Sequence, residues 1–242
     1  MLIKVQDVYK IYAEGHESEV RALNGISFEI GHGEYVSIIG ASGSGKSTIA
    51  KLMAGFWDTT SGTVRYGGKD IREIPFDQLM GEISYVAQDN FLFDMSIREN
   101  IRLGNKDATD AQIEQAAKAA NCHDFIMELE YGYDTLAGDA GDRLSGGERQ
   151  RITIARAMLK KASVVILDEA TAYADPESEA LIQQAIGKLV RDKTLIVVAH
   201  RLSTIRSAGQ ILVISDGALV GRGTQEELLE QCPLYRTMWT EH

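Results

Sequence analysis

The sequence predicts an α/β fold: a mostly parallel sheet covered by helices, with an antiparallel β subdomain at the N-terminus and a helical subdomain inserted in the middle. Three observations predict it. Short apolar strand-length runs at 35–39, 164–167, 195–199 and 211–214 are separated by helical patterns. Residues 2–39 read as strands, whereas residues of about 89–160 read as helices. The 242 residues are 44% hydrophobic and 25% charged, a balance that can bury a core and excludes disordered and collagen-like classes.

In chain order, residues 2–8 mix β-branched and polar side chains, 26–30 follow a turn, and 35–39 form an apolar strand that stops at Gly40. From 46 to 54 the period becomes helical, and a turn-rich stretch at 58–62 leads to short strands at 63–66 and 83–87. Thr109 can cap a helix whose Ile113, Ala116, Ala117 and Ala120 follow helical spacing, and 96–101 and 124–129 are also helical. Asp175 as cap and Pro176 at the first position open a helix between the strands at 164–167 and 195–199. Thr224 and Glu227 make a capping-box pattern, and 235–239 forms a last helix. The expected organisation is one domain over 1–242, with 1–88 and 161–242 as core and 89–160 as helical subdomain.

The net charge of −10 sets an unfavourable field for phosphate backbones, so no nucleic-acid partner is expected. No apolar run approaches the roughly 18 residues that span a bilayer, and the first ten residues lack the apolar core of a secretory signal. A cytosolic location is expected. Cys122 and Cys232 stand far apart without metal spacing, so they read as packing or surface residues rather than a disulfide framework or a zinc site.

Gly40, Ala41, Ser42, Gly43, Ser44, Gly45, Lys46 and Ser47 match G-x-x-x-x-G-K-[ST], with a strand leading in and a helix leading out. Such a loop turns backbone N–H groups toward phosphate oxygens at a helix N-terminus. Lys46 then brings a point charge to the β- and γ-phosphates, and the Ser47 hydroxyl can ligate Mg²⁺. The apolar run at 164–167 ends in Asp168, which would hold the metal through a water, and Glu169 would orient or deprotonate the attacking water. Leu144-Ser145-Gly146-Gly147-Glu148 precedes an amphipathic basic helix with Arg149, Gln150, Arg151 and Arg156, and offers a hydroxyl, N–H groups and a positive helix end to another anion. Two phosphate-binding elements in one chain suggest a head-to-tail dimer in which each loop faces its partner's motif.

With these motifs in this order, the chain resembles the nucleotide-binding domain of ATP-binding-cassette (ABC) transporters over nearly all its length. The resemblance implies a P-loop NTPase core and a Mg²⁺-dependent ATPase. By resemblance, residues 40–48, including Thr48, form the Walker A loop, Tyr12 stacks on adenine, and Gln88 is the Q-loop residue at the metal. Likewise, Glu169 is catalytic, His200 contacts the γ-phosphate, and Ser145, Gly146, Gly147 and Asp175 reach ATP across the dimer. Residues 84–93 and 96–101 are similar to the Q-loop region of exporter-type (type IV) domains, which makes the apolar Phe91, Leu92, Phe93 and Met95 an exposed docking surface for membrane coupling helices, with core packing the alternative use for one or two of them. Residues 138–143 resemble the exporter cross-loop, with Asp139 where glutamate is commoner.

Two motifs depart from the family pattern. Ala172-Tyr173-Ala174-Asp175 replaces Ser-Ala-Leu-Asp in the D-loop and is similar to siderophore-related exporter-fold transporters, and Glu148 stands where glutamine is frequent. The implied partners are a transmembrane domain, on the same polypeptide in a half-transporter, and an identical or homologous nucleotide-binding domain, at the cytoplasmic face of the inner or plasma membrane. Two rivals are a non-transport ABC ATPase, which needs coiled coils or basic linkers that the sequence lacks, and an ATP-binding switch without turnover, against which Glu169 argues.

Overall fold

The computed structural model describes residues 1–16, 18–168, 176–199 and 208–240. In chain order the elements are β1 (Ile3–Tyr12), β2 (Val20–Ile30), β3 (Tyr35–Ile39), α1 (Lys46–Met53), β4 (Ser61–Tyr66), β5 (Lys69–Asp70), α2 (Phe76–Glu82) and β6 (Ile83–Val86). The helical stretch follows with α3 (Ile97–Arg102), α4 (Asp110–Ala119), α5 (His123–Glu128) and α6 (Gly146–Lys160). Then come β7 (Val164–Asp168), α7 (Pro176–Leu189), β8 (Thr194–Val198), β9 (Gln210–Ser215), β10 (Ala218–Gly223), α8 (Gln225–Gln231) and α9 (Pro233–Thr240). The chain groups into two compact units, Met1–Ile83 with Lys193–His242, and Ser84–Asp192.

In the first unit, an antiparallel sheet runs in the order β2-β1-β4-β5. Alternation along β1 buries Ile3 and Val5, and a register shift before Val8, with Asp7 at φ 47°, brings Val8 to the buried face as well; the three pair with Ile30, Phe28 and Ile26 of β2. β2 begins at Val20, earlier than the expected 26, because Asn24-Gly25 is not a turn. The register slips there from Val8↔Ile26 to Tyr9↔Asn24, and Gly25 takes φ 73° as the extra residue of a bulge.

The same unit holds β3 between two parallel neighbours, with Ile38 level with Val198 of β8 and Leu212 of β9. β3 is buried from Val36 to Ile39, which explains its unbroken apolar run. β10 returns antiparallel to β9 through a two-residue turn, Asp216 (φ 48°) and Gly217 (φ 73°). Ile39, Ile211, Val213, Leu228, Cys232 and Tyr235 pack into one core cluster, so α8 and α9 close over this sheet. Both cysteines are free and buried, as packing residues.

In the second unit, α6 packs against α3, α4 and α7. Ile152, Ile154, Ala155 and Leu159 are buried along it. β7 is buried throughout. The Thr109 cap of α4 is a full capping box with Gln112.

Candidate nucleotide site

In the first unit, β3 delivers the chain into the 40–45 loop and α1 carries it away, with the left-handed Gly45 (φ 102°) as the helix cap. A side chain could not replace two of the loop's glycines. A Cβ on Gly45 would stand 2.5 Å from the Ala22 carbonyl, and one on Gly40 would stand 2.1 Å from that of Ile214. The β9–β10 turn holds the loop, since the Gly217 N–H donates to the Ser44 carbonyl at 3.1 Å and the Gly217 carbonyl accepts from Asn24 N–H at 2.8 Å.

Lys46 is buried, and its Nζ donates to the carbonyls of Gly40 at 2.6 Å and Ala41 at 2.8 Å. Ser44 is 5% exposed, and its hydroxyl has no hydrogen-bond partner among the described residues. A buried hydroxyl is not left unmatched without cost, so this donor marks a place for a ligand oxygen. At the first turn of α1, the N–H groups of Lys46, Ser47 and Thr48 have no intrahelical acceptor, which adds positive potential there.

Thr48 also ties the loop to Tyr12, whose hydroxyl lies 3.4 Å from Thr48 Oγ1. Two residues that sequence reading missed flank this ring. Trp57 meets it edge-to-face with centroids 5.0 Å apart, and Lys10 Nζ lies over it at 5.2 Å. Lys10 stands two residues before Tyr12 on β1, a local relation that the sequence reading did not use, whereas Trp57 follows Tyr12 by 45 residues and only the fold joins them.

In the second unit, Asp168 ends β7 as a buried carboxylate. The Tyr85 hydroxyl, on β6, donates to its Oδ2 at 2.6 Å. Burial first, and then the Asp168 carboxylate, push the Tyr85 hydroxyl far above the usual phenol range, so it keeps its proton and remains a donor. Three residues on, the Gln88 carbonyl accepts from Asn90 Nδ2 at 3.2 Å, and Asn90 Oδ1 accepts from Thr153 of α6 at 3.1 Å. Tyr85 and Asn90 thus anchor the segment that carries Gln88.

Ser145 caps α6: its Oγ accepts from Glu148 N–H at 3.3 Å, while Glu148 Oε2 accepts from Ser145 N–H at 2.8 Å. Glutamate and glutamine serve equally at this position of a capping box, which accounts for Glu148. Gly146 and Gly147 form the first turn. The arginines of α6, which the sequence shows only as a basic helix, are engaged inside the chain. Arg149 Nη1 donates to the Leu144 carbonyl at 2.5 Å, Arg156 Nε to the Asn100 carbonyl at 2.9 Å, and Arg151 lies buried over the Phe125 ring. Of the four apolar residues at 91–95, Leu92 goes to the core: it is fully buried, leaving Phe91 and Phe93 exposed as an edge-to-face pair.

Glu169, His200 and the D-loop residues 172–175, Asp175 among them, lie outside the described residues. The sequence motifs and the resemblance give a cation the Ser47 hydroxyl, the Gln88 side-chain amide and the Asp168 carboxylate. All are hard oxygen donors, the set that Mg²⁺ takes, and on that chemistry the residues fit it.

Strand, glycine loop and helix, with a buried lysine and an unmatched serine hydroxyl, define a nucleoside-triphosphate-binding domain of the P-loop kind. The profile of the ABC transporter family matches residues 23–172, and the chain belongs to that family as an ATP-binding domain of the exporter type. The mycobactin import ATP-binding/permease protein IrtA of Mycolicibacterium smegmatis is 48% identical over 225 residues, covering 93% of this chain and 26% of its own. The putative multidrug export ATP-binding/permease protein YgaD of Bacillus subtilis is 44% identical over 238 residues, covering 98% and 40%. A bacterial Atm1-family ABC exporter with ATP bound matches with a TM-score of 0.91 at 38% identity, covering 99% of this chain and 41% of that one. The chain therefore spans about a quarter to two fifths of these relatives. Among the described residues, no helix is long and apolar enough to cross a membrane.

Proposed function

We propose that this chain is the ATP-hydrolysing motor that drives substrate translocation through a transmembrane domain, two copies or one copy and a homologue closing head to tail around two ATP. The observation that carries the reading is the 40–48 loop, where Lys46 is held on two loop carbonyls beside the unmatched, buried Ser44 hydroxyl. In this assignment Tyr12 stacks on adenine. The backbone from Gly40 through Ala41, Ser42, Gly43, Ser44 and Gly45 to Thr48 surrounds the phosphates, and Lys46 leaves its carbonyls for β- and γ-phosphate oxygens. Ser47, Gln88 and Asp168 would hold Mg²⁺, which when bound would neutralise phosphate charge. Glu169 orients or deprotonates the attacking water, His200 contacts the γ-phosphate, and Ser145, Gly146, Gly147 and Asp175 complete the partner's site.

The same reading assigns residues 1–88 and 161–242 to the ATP-binding core and 89–160 to the helical subdomain. The exposed Phe91 and Phe93 would meet the membrane partner, at the cytoplasmic face of the membrane. For the cargo, 48% identity with two mycobactin import proteins favours a siderophore complex. Stimulation of the full-length transporter's ATPase by a metal–siderophore complex, and not by unrelated hydrophobic cations, checks that assignment.

The motor is tested by phosphate release from Mg-ATP as a function of protein concentration. The expected rate per chain rises with concentration and is abolished by Lys46→Ala and by Glu169→Gln. Release unaltered by Lys46→Ala overturns the loop's role, and release unaltered by Glu169→Gln removes Glu169 from catalysis.

A further inference from the structure

We propose that Tyr85 is a positioning residue for Mg²⁺ binding: its hydroxyl, 2.6 Å from Asp168 Oδ2, fixes the carboxylate that faces the metal. The inference rests on Asp168 being a metal-holding residue. It adds a residue from a different strand, 83 positions away in sequence, to which the resemblance assigned no role.

The physical argument starts from the carboxylate. An aspartate at a strand end can rotate broadly about its last side-chain torsion, so its oxygens have no set direction unless something ties one of them. A short bond from a neutral O–H to a carboxylate is charge-assisted and strongly directional. With Oδ2 tied, Oδ1 is left with a defined direction. Tyr85 suits the task because its ring is half-buried in β6 and rigid, and because its hydroxyl brings a donor without a positive charge that would compete with a cation.

The location gives the contact a second consequence. β6 runs straight on to Gln88, which Asn90 pins to Thr153. The backbone that carries the donor to Asp168 therefore also carries the Q-loop glutamine, and both lie in the same compact unit. Outer partners of this kind typically change metal affinity by about 10- to 100-fold when removed.

The test uses the full chain and reads binding rather than turnover. Equilibrium affinity for the non-hydrolysable imido analogue of ATP is measured in EDTA and in Mg²⁺, for wild type, Tyr85→Phe and Asp168→Asn. Thermal unfolding verifies that Tyr85→Phe, which keeps the ring, remains folded. The expected result is that Tyr85→Phe lowers the Mg²⁺-dependent gain in affinity by about ten-fold while its affinity in EDTA stays that of wild type. Loss of the gain in Asp168→Asn but not in Tyr85→Phe overturns the inference and spares the reading of Asp168. An equal drop with and without Mg²⁺ makes Tyr85 a packing residue only and also overturns it. An undiminished gain in Asp168→Asn removes the metal role of Asp168, and the inference with it.

Discussion

Tyr12 can serve as an adenine platform only if its ring is held at a set angle, and two neighbours do this. Trp57 stands edge-to-face at 88°, and Lys10 lies over the ring while its ammonium donates to the Asp58 carbonyl at 2.8 Å. Trp57 is 40% exposed, so little burial explains an aromatic there, and contact with Tyr12 does. An aromatic pair contributes about 0.5–1.5 kcal/mol beyond area, which corresponds to about 2- to 12-fold in affinity. Trp57→Leu is therefore expected to raise the KM for ATP within that range with kcat nearly unchanged, and Trp57→Phe to restore most of it. Steady-state kinetics with both variants check this, and an unchanged KM in Trp57→Leu removes the brace. Lys46 and Ser47 were legible because a phosphate loop is a local pattern of eight residues, and Asp168 because it ends an apolar strand-length run. Trp57 and Tyr85 were not, because their partners are brought to them only by the sheet.

At the scale of elements, the site depends on a hairpin and on a polar knot. The hairpin is the β9–β10 turn, whose Gly217 N–H holds the Ser44 carbonyl. Sequence reading passed over β10, although Asp216-Gly217 between apolar residues is a strong two-residue turn signal. Its strand alternates weakly, with glycines at 221 and 223. Gly217→Ala forces a left-handed residue and brings a Cβ to 2.8 Å from the Ala22 carbonyl. It should cost about 1–2 kcal/mol from the backbone alone and weaken ATP binding through the loop, measured by thermal unfolding and by nucleotide titration. The knot is Asn100, fully buried, which donates to the carbonyls of Phe93, Met95 and Ser96 and accepts from Phe93 N–H and Arg156. Burial lowers the Arg156 guanidinium to about 10, so it is sensitive to losing acceptors. Asn100→Leu leaves several of these groups unmatched at a cost of about 3 kcal/mol. The expected fall in Tm is about 6–12 °C. An unchanged Tm would mean that the segment presenting Phe91 and Phe93 is held by packing alone.

Over the whole molecule, the alternation of strand and helix and the run of motifs carried the fold class, because each rests on short-range periodicity. What they did not carry is the use of individual side chains. The α6 arginines make the helix basic in sequence, yet internal carbonyls and the Phe125 ring engage them, since a helix packed by α3, α4 and α7 has little free surface. Any second anion must therefore meet the Ser145–Gly147 end of α6 rather than its flank, and this sharpens a test of assembly. Ser145→Ala is ambiguous, because losing the cap alone costs about 1 kcal/mol. Ser145→Asp is not, since aspartate caps as well as serine and favours the helix N-terminus, while its carboxylate repels a partner's γ-phosphate. In a Glu169→Gln background with Mg-ATP, the chain is expected to elute at twice its mass, and the added Ser145→Asp to return it to the monomer with Tm nearly unchanged. Persistence of the dimer in that double variant would show that Ser145 does not meet nucleotide across the interface, and a monomer that has also lost its Tm would place the residue's role in capping alone.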